Sequence, residues 1–471
     1  MKTIHVLGIC GSGMGAFARL LVQQGFEVRG SDEGAFPPMS LRLAEWGIPV
    51  FEGYRAENLD WSPNQTPDLV IVGNVIRRTN PEAEEMRRRN LPHLSFPEAL
   101  RWLFLTNRHS IVVTGTHGKT TTTSLCAWLL ESAGQAPGFL IGGIPKNFAR
   151  SSELGRGRYF VVEGDEYDTA YFDKGPKFLH YQPKSSILAN IEFDHADIYR
   201  DITHVTESFR RFVDILPEDG HLVVCGHEQL AIDVAHRAAC AVETYGIDGD
   251  FDWVATNLVP VGTGFRFSVS YHGTLKGELF SPLAGKHNVL NALASIAIVY
   301  RLGVSFPEIV AAISQFEGVV KRQDIRGEVG GILVIDDYAH HPTAVRETIS
   351  AIRTRYPTRR LWALFEAESN TSRRKIFQDQ YGEVLSGADV VVLSKPLKKN
   401  DKLADTDQID VQAIVTNLRS KGVDAHHIAE FTDIVDFVAD NAVHGDVILG
   451  MSGRDFGGIH GEILKRLSER S

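Results

Sequence analysis

The residues Val112-Val113-Thr114-Gly115-Thr116-His117-Gly118-Lys119-Thr120-Thr121 run from an apolar, β-branched stretch through two glycines into a lysine and two hydroxyls. Backbone N–H groups in such a loop, backed by the dipole of the helix that follows, form a nest for anions. Lys119 is placed to reach terminal phosphates and the Thr120 hydroxyl to sit on Mg2+. The loop is shorter than the common phosphate-binding loop, since position 113 is valine where that pattern has its first glycine.

Acidic groups recur at the ends of apolar runs. Val161-Val162-Glu163-Gly164-Asp165-Glu166 and Asn190-Ile191-Glu192-Phe193-Asp194-His195-Ala196-Asp197 both follow short β-branched stretches. Carboxylates at the carboxyl ends of strands in a nucleotide-binding sheet are natural Mg2+ ligands, and His195 could ligate a second metal or move a proton. Helix caps and solvated loop acids are the bland alternative. Gly11, Gly13 and Ala16 match a GxGxx[G/A] turn after a strand, with Asp32 about 20 residues on. That turn suits a dinucleotide, a nucleotide sugar, or mere close packing. Asn288 and Asn291 are spaced to share a helix face, and their amides could read a purine edge. Asp336-Asp337-Tyr338-Ala339-His340-His341-Pro342-Thr343 gathers two acids and two histidines at a strand end, with Pro342 suited to a first helical turn.

These groups need elements to hold them. Apolar runs Thr3–Leu7, Phe26–Arg29, Leu69–Val72, Ser110–Thr114, Ser186–Ala189, Ile332–Ile335, Leu361–Phe365, Val390–Leu393 and Val447–Leu449 alternate with helical stretches, including Ala16–Gln24, His287–Leu302 and Thr343–Arg355. That rhythm predicts parallel α/β sheets. Alternating segments with glycine turns over 252–281 predict an antiparallel insertion. The segment Trp102–Asn107 reads as a linker. The expected architecture is α/β with three domains: a Rossmann-like domain at 1–106, a P-loop-type ATPase domain at 107–322, and a Rossmann-like domain at 323–471. The ATPase domain is expected to carry a mostly parallel sheet plus a small antiparallel one.

Composition narrows the function. The 471 residues are 43% hydrophobic and 23% charged, the balance of a globular chain. A net charge of −10 opposes broad binding to nucleic acid or anionic membrane. The scattered Cys10, Cys126, Cys225 and Cys240 fit a reducing cytoplasm better than a disulfide framework. No apolar run reaches the ~18–20 residues that span a bilayer, and the N-terminus reads as strand, turn and helix rather than a signal peptide.

Taken together, Gly115–Thr121, Glu163–Glu166, Asn190–His195, Gly285–Asn291 and Asp336–Thr343 resemble, in order, the motifs of the Mur ligase family, which forms amide bonds with ATP in peptidoglycan assembly. The resemblance covers essentially the whole chain. It implies that Gly11, Ser12, Gly13, Met14, Asp32 and Ser40 belong to a domain holding the UDP part of a sugar nucleotide. It further implies that Gly115, Thr116, His117, Gly118, Lys119, Thr120 and Thr121 hold the phosphates. Asn288 and Asn291 would face adenine, and Arg322, Asp336 and His340 would complete the site from the domain junction. Thr120, Glu163 and His195 are the implied Mg2+ ligands; Lys119, Glu163, His195 and His340 are the implied catalytic groups. Pro37-Pro38-Met39-Ser40, Phe172–Pro183 and Phe456–His460 resemble family members that join UDP-N-acetylmuramate to the tripeptide L-alanyl-γ-D-glutamyl-meso-diaminopimelate in peptidoglycan recycling. The alternative acceptor is L-alanine, as in de novo synthesis. Two positions depart from relatives: Arg210 stands where several carry a carbamylated lysine, and Ala367-Glu368 stand where peptide-adding members tend to have Pro and Arg.

A carboxylate must be activated before an amine can attack it, and bringing it to a γ-phosphate requires cations. The attacking amine must be neutral, so His195 or His340 is expected to take its proton. A dehydrogenase built on Gly11–Ala16 would leave the Lys119 loop unexplained. A regulatory ATPase would release ADP without any sugar nucleotide.

Overall fold

Three large sheets follow one another along the chain in the computed structural model, which describes residues 1–36, 39–399 and 403–470, and a two-stranded ribbon, Asp168–Ala170 with Asp173–Pro176, falls within the span of the second. Pro37 and Pro38, part of the first stretch compared with peptide-adding relatives, lie outside the described residues. The first sheet is wholly parallel, with the spatial order Val50–Glu52, Glu27–Asp32, Thr3–Leu7, Leu69–Val72, His93–Ser95. Its strand order reverses beside Thr3–Leu7, so the turn Gly8–Gly11 opens into the crevice where α/β sheets take ligands. The helix after that turn runs Ser12–Gln23, four residues ahead of the expected start. Burial of Met14, Ala16 and Phe17 outweighs the ~1 kcal/mol helix cost of each glycine.

The central sheet has ten strands. His109–Thr114 lies between Tyr159–Gly164 and Ser185–Leu188, parallel to both, and Thr114 is in register with Gly164 on one side and Leu188 on the other. The phosphate loop, the Glu163 motif and the Asn190 motif therefore leave the sheet at one edge. The strands Trp253–Val261, Gly264–Tyr271 and Thr274–Ser281 form the expected antiparallel segment. They continue the parallel sheet rather than standing apart, because Trp253–Val261 pairs parallel with Ala241–Ile247. The third sheet has six strands, of which only Asp324–Val329 is antiparallel to its neighbour.

Two helices brace the loop. Lys119–Ser132 packs against Lys286–Arg301, and both are buried along most of their length. Buried hydroxyls on the first are satisfied locally: Thr123 Oγ1 donates to Lys119 O at 2.8 Å and Ser124 Oγ to Thr120 O at 2.6 Å. One apolar cluster runs from Ile4 and Phe17 in the first sheet to Phe160 and Leu188 in the second. The third sheet has apolar clusters of its own on either face. The expected linker is packed rather than free: Arg101–Leu105 forms a single wide helical turn with Phe104 and Leu105 buried.

Candidate active site

Gly115 and Gly118 have φ of 133° and 83°, and each faces a close neighbour. A Cβ on Gly115 would lie 3.0 Å from Asn190 N, and one on Gly118 2.7 Å from Asn291 Oδ1. The loop is zipped to the neighbouring strand exit. Thr116 N donates to Asn190 O at 3.1 Å, and His117 N to Asn190 Oδ1 at 2.7 Å. Glu192 N donates to Thr116 Oγ1 at 2.9 Å.

Lys119 is buried at the start of its helix. Its Nζ donates to Gly115 O at 2.7 Å and to Glu166 Oε2 at 2.9 Å. Burial opposes the ammonium, but Glu166 and Asp165 more than offset that and raise its pKa. Burial likewise works against an ionised Glu166, yet Lys119 and His195 hold its carboxyl down at about 2. Glu163 is the counterexample: burial, then Asp165, push it up to about 7. Its Oε1 accepts from Gly142 N at 2.7 Å and its Oε2 from Thr120 Oγ1 at 3.2 Å. Arg322 reaches the same hydroxyl at 3.4 Å, so Thr120, Glu163, Lys119 and Arg322 converge.

His195 has φ of 51°, a left-handed conformation that costs a non-glycine residue ~1–3 kcal/mol. The bend aims its Nε2 at Glu166 Oε1, 3.3 Å away. Burial disfavours the imidazolium, but Glu166 and Asp194 raise its pKa to about 9. Asp194 is buried too, and His195, His340 and His341 together hold its carboxyl well below the usual range. Asp194 thus sits between the central sheet and the third domain. His340 and Glu368 converge on Gly453: a Cβ there would lie 2.2 Å from Glu368 Oε1 and 3.3 Å from His340 Nδ1. Burial raises the Glu368 pKa against the pull of His340.

Several groups named from the sequence stand differently. Strand alternation turns Asp336 and Asp337 to opposite faces. Asp336 lies 3.6 Å from His460 and 3.9 Å from Arg326, and burial pushes its carboxyl up to about 6. Asp337 faces the junction, accepting from Gln323 N at 2.7 Å, with Arg322 close enough to favour its charge. Asn288 Nδ2 donates to Ala284 O at 2.7 Å and Asn291 Nδ2 to Asn288 Oδ1 at 3.1 Å, while Asn291 Oδ1 accepts from Thr122 Oγ1 at 3.1 Å and so braces the loop's helix. In the first domain Asp32 accepts from Cys10 N at 2.8 Å and so holds the glycine turn. Gly11 caps the following helix without a side-chain cap, leaving Ser12, Gly13 and Met14 in its first turn. Ser40, half-buried, starts a short helix whose Met39 packs on Gly15. Arg210 pairs with Glu207 at 3.2 Å on an exposed helix face.

The residues fit a divalent cation. Thr120 Oγ1 and Glu163 are hard oxygen donors 3.2 Å apart, and buried Glu166 Oε1 makes no well-aligned hydrogen bond. Sequence reasoning did not single out Glu166, Asp194 or Asp337. The charge of Glu166 next to Glu163 was visible in the motif, but its pairing with Lys119 was not.

Models of the Mur ligase family match the chain in three pieces: the family's catalytic domain at 3–108, its middle domain at 113–299 and its glutamate ligase domain at 321–454. The chain is 38% identical over 99% of both lengths to the UDP-N-acetylmuramate–L-alanyl-γ-D-glutamyl-meso-2,6-diaminoheptandioate ligase of Escherichia coli. A UDP-N-acetylmuramate–L-alanine ligase of Endomicrobium trichonymphae is 33% identical over 96% of each. Among solved structures, a murein peptide ligase of Psychrobacter arcticus covers 99% of both chains at 35% identity with a TM-score of 0.74. The UDP-N-acetylmuramate–alanine ligase of Thermotoga maritima covers all of both at 25% identity with a TM-score of 0.81.

Proposed function

Because the chain belongs to the Mur ligase family, we propose that it is an ATP-dependent ligase of peptidoglycan recycling. It joins the lactyl carboxylate of UDP-N-acetylmuramate to the amine of L-alanyl-γ-D-glutamyl-meso-diaminopimelate. The carrying observation is the end-to-end identity of 38% with the Escherichia coli tripeptide ligase. The Lys119–Glu166 pair beside Thr120 and Glu163 supplies the chemistry that such a reaction needs.

Residues 1–106 would hold the UDP part at the turn Gly11–Met14, 107–322 the ATP, and 323–471 the peptide. One Mg2+ would be held by Thr120 and Glu163 and a second by His195, where they neutralise phosphate charge. Lys119 leaves Glu166 and the Gly115 carbonyl to meet the β- and γ-phosphates. Arg322 adds a second positive charge beside Thr120. The carboxylate attacks the γ-phosphate to give an acyl phosphate and ADP; the amine then attacks the acyl carbon and phosphate leaves. His195, whose Nε2 faces Glu166, is taken up in holding a cation and so does not serve as the base. His340, next to Glu368 on the acceptor side, takes the proton of the amine. Closure of the third domain over this centre keeps water from the acyl phosphate. The four cysteines are unpaired, which suits a reducing cytoplasm. Among the described residues no helix is long and apolar enough to cross a membrane.

The likeness in shape to an L-alanine-adding ligase sustains a second reading. Phosphate release from ATP, Mg2+ and UDP-N-acetylmuramate separates them. The tripeptide should drive it far faster than L-alanine, and Lys119→Ala should lower the rate at least ~10²-fold with the fold kept. Equal rates, or a preference for L-alanine, would assign the enzyme to the second reading.

A further inference from the structure

Three side chains across the junction of the second and third domains stand apart from the groups around Lys119. His117 points out of the phosphate loop, Glu192 leaves the Ser185–Leu188 strand, and His341 caps the helix Pro342–Arg355. One ligand atom from each lies within 4.8 Å of the other two. His117 Nε2 is 3.6 Å and His341 Nδ1 3.7 Å from Glu192 Oε2, and the two rings are 4.6 Å apart. Ligand atoms around a tetrahedral ion with bonds of ~2.0 Å stand about 3.3 Å apart, so the two histidine–carboxylate edges need to contract by only a few tenths of an ångström.

Two further observations give the cluster direction. His117 Nε2 is buried and makes no hydrogen bond, an orphaned donor set facing a carboxylate. His341 Nε2 donates to Phe193 O at 3.2 Å, which leaves the lone pair on Nδ1, towards Glu192. A ring nitrogen donating to a backbone carbonyl while the other faces the centre is the usual support of a metal-bound histidine. Nδ1 would give up only a long hydrogen bond, 3.3 Å, from Thr343 N. Burial, followed by His117, lowers the His341 pKa to about 4, so its ring is neutral at physiological pH. Burial works against charge on Glu192, but His117, Thr343 and His341 keep it ionised, at about 2. A second carboxylate, Glu228, lies nearby: burial and then Glu192 raise its pKa, against His117 and Arg346.

We propose that His117, Glu192 and His341 bind a divalent transition-metal ion, Zn2+ or Co2+ rather than Mg2+, and that this ion latches the third domain onto the phosphate loop. Two imidazoles and one carboxylate are a borderline-soft donor set that Mg2+ binds poorly. His117 and Glu192 belong to the second domain and His341 to the third, where Thr343 Oγ1 already donates to Glu192 Oε2 at 2.6 Å. An ion bound by all three would hold the two domains together.

The full-length protein in excess Mg2+ is titrated with Co2+ and followed by its visible absorption, with metal content measured after Zn2+ loading and dialysis. The expected result is one Co2+ or Zn2+ per chain, with affinity lowered at least tenfold by Glu192→Gln and by His117→Ala and kept in His195→Ala. Circular dichroism of each variant establishes that it is folded, and either of the first two suffices for the comparison. Zn2+ should also raise the melting temperature of the wild type and not that of Glu192→Gln. Absence of a bound ion in the wild type overturns the proposal. So does an ion lost in His195→Ala but kept in Glu192→Gln, which would place it among the groups around Lys119.

Discussion

At the scale of single residues, the centre is a set of charges that satisfy one another. Lys119 and His195 both lean on Glu166, and Glu163 keeps a proton near neutrality because burial and Asp165 disfavour its charge. If Glu163 and His195 hold the two cations as proposed, cation binding must displace their protons. The sign follows from their pKa values. Below about pH 7 both groups carry a proton, between about 7 and about 9 only His195 does, and above that neither. The affinity for Mg2+ and a non-hydrolysable ATP analogue should therefore rise with pH, by up to ~10-fold per unit for each proton released. Calorimetry in buffers of different ionisation enthalpy should detect net proton release at pH 8, and Glu163→Gln should remove the extra proton released below pH 7. Uptake of protons, or no exchange, would contradict the assignment of these two ligands. Lys119, Thr120 and Glu163 were legible in the sequence because a strand, a loop and a helix start specify them locally. Glu166 and Asp194 were not, since their roles depend on partners that only the fold brings near. Asp336 and Asp337 are not separable from the sequence for a simpler reason: with two adjacent acids at a strand end, the motif does not say which one faces the junction.

At the scale of elements, the phosphate loop owes its shape to two glycines and a partner strand. Gly118 is left-handed and its missing Cβ leaves room for Asn291 Oδ1, which accepts from Thr122 Oγ1 at 3.1 Å. Gly118→Ala should cost about 1–3 kcal/mol from backbone strain alone. It should also displace Asn291 and so weaken nucleotide binding beyond what the stability loss explains. Urea denaturation with a parallel nucleotide titration checks both; a variant as stable and as tight as the wild type would mean that the loop does not need this conformation. The strands named from the sequence were legible to within three residues because buried parallel strands read as short β-branched runs. The helix Ser12–Gln23 was expected to begin later because glycine propensity argues against its first turn, and packing decides otherwise. The amides of Asn288 and Asn291 share a face as their spacing predicts, and the fold adds what spacing does not say: they bond to each other, and Asn291 also braces the neighbouring helix through Thr122.

At the scale of the molecule, the first two sheets share an apolar core while the third has its own. Ser152 Oγ donating to Ala16 O at 2.8 Å and the Gln23–Glu153 contact at 2.9 Å add polar ties between the first two. The third meets the second through Phe193, which packs on the third core beside Phe377, and through polar groups: Thr343 with Glu192, and Asn370 Nδ2 donating to Asp197 Oδ2 at 2.8 Å. Scanning calorimetry should resolve two transitions, residues up to about 320 unfolding as one unit and the third domain as another. A nucleotide that bridges both should raise the stability of the bound units by ~2.7 kcal/mol at a hundred times its dissociation constant. A single transition insensitive to nucleotide would contradict this division. Three domains were legible in the sequence from the restarts of the strand–helix rhythm. The fusion of the first two cores was not, because it depends on which helix faces meet.

The account rests on a carboxylate brought to a phosphate beside Lys119, and isotope tracing follows that event atom by atom. UDP-N-acetylmuramate carrying 18O in both lactyl carboxylate oxygens, incubated with ATP, Mg2+ and the tripeptide, should transfer one 18O per turnover to the released phosphate and keep the other in the new amide. Phosphate free of 18O, formed at the rate of amide synthesis, would mean that the carboxylate never attacked phosphorus.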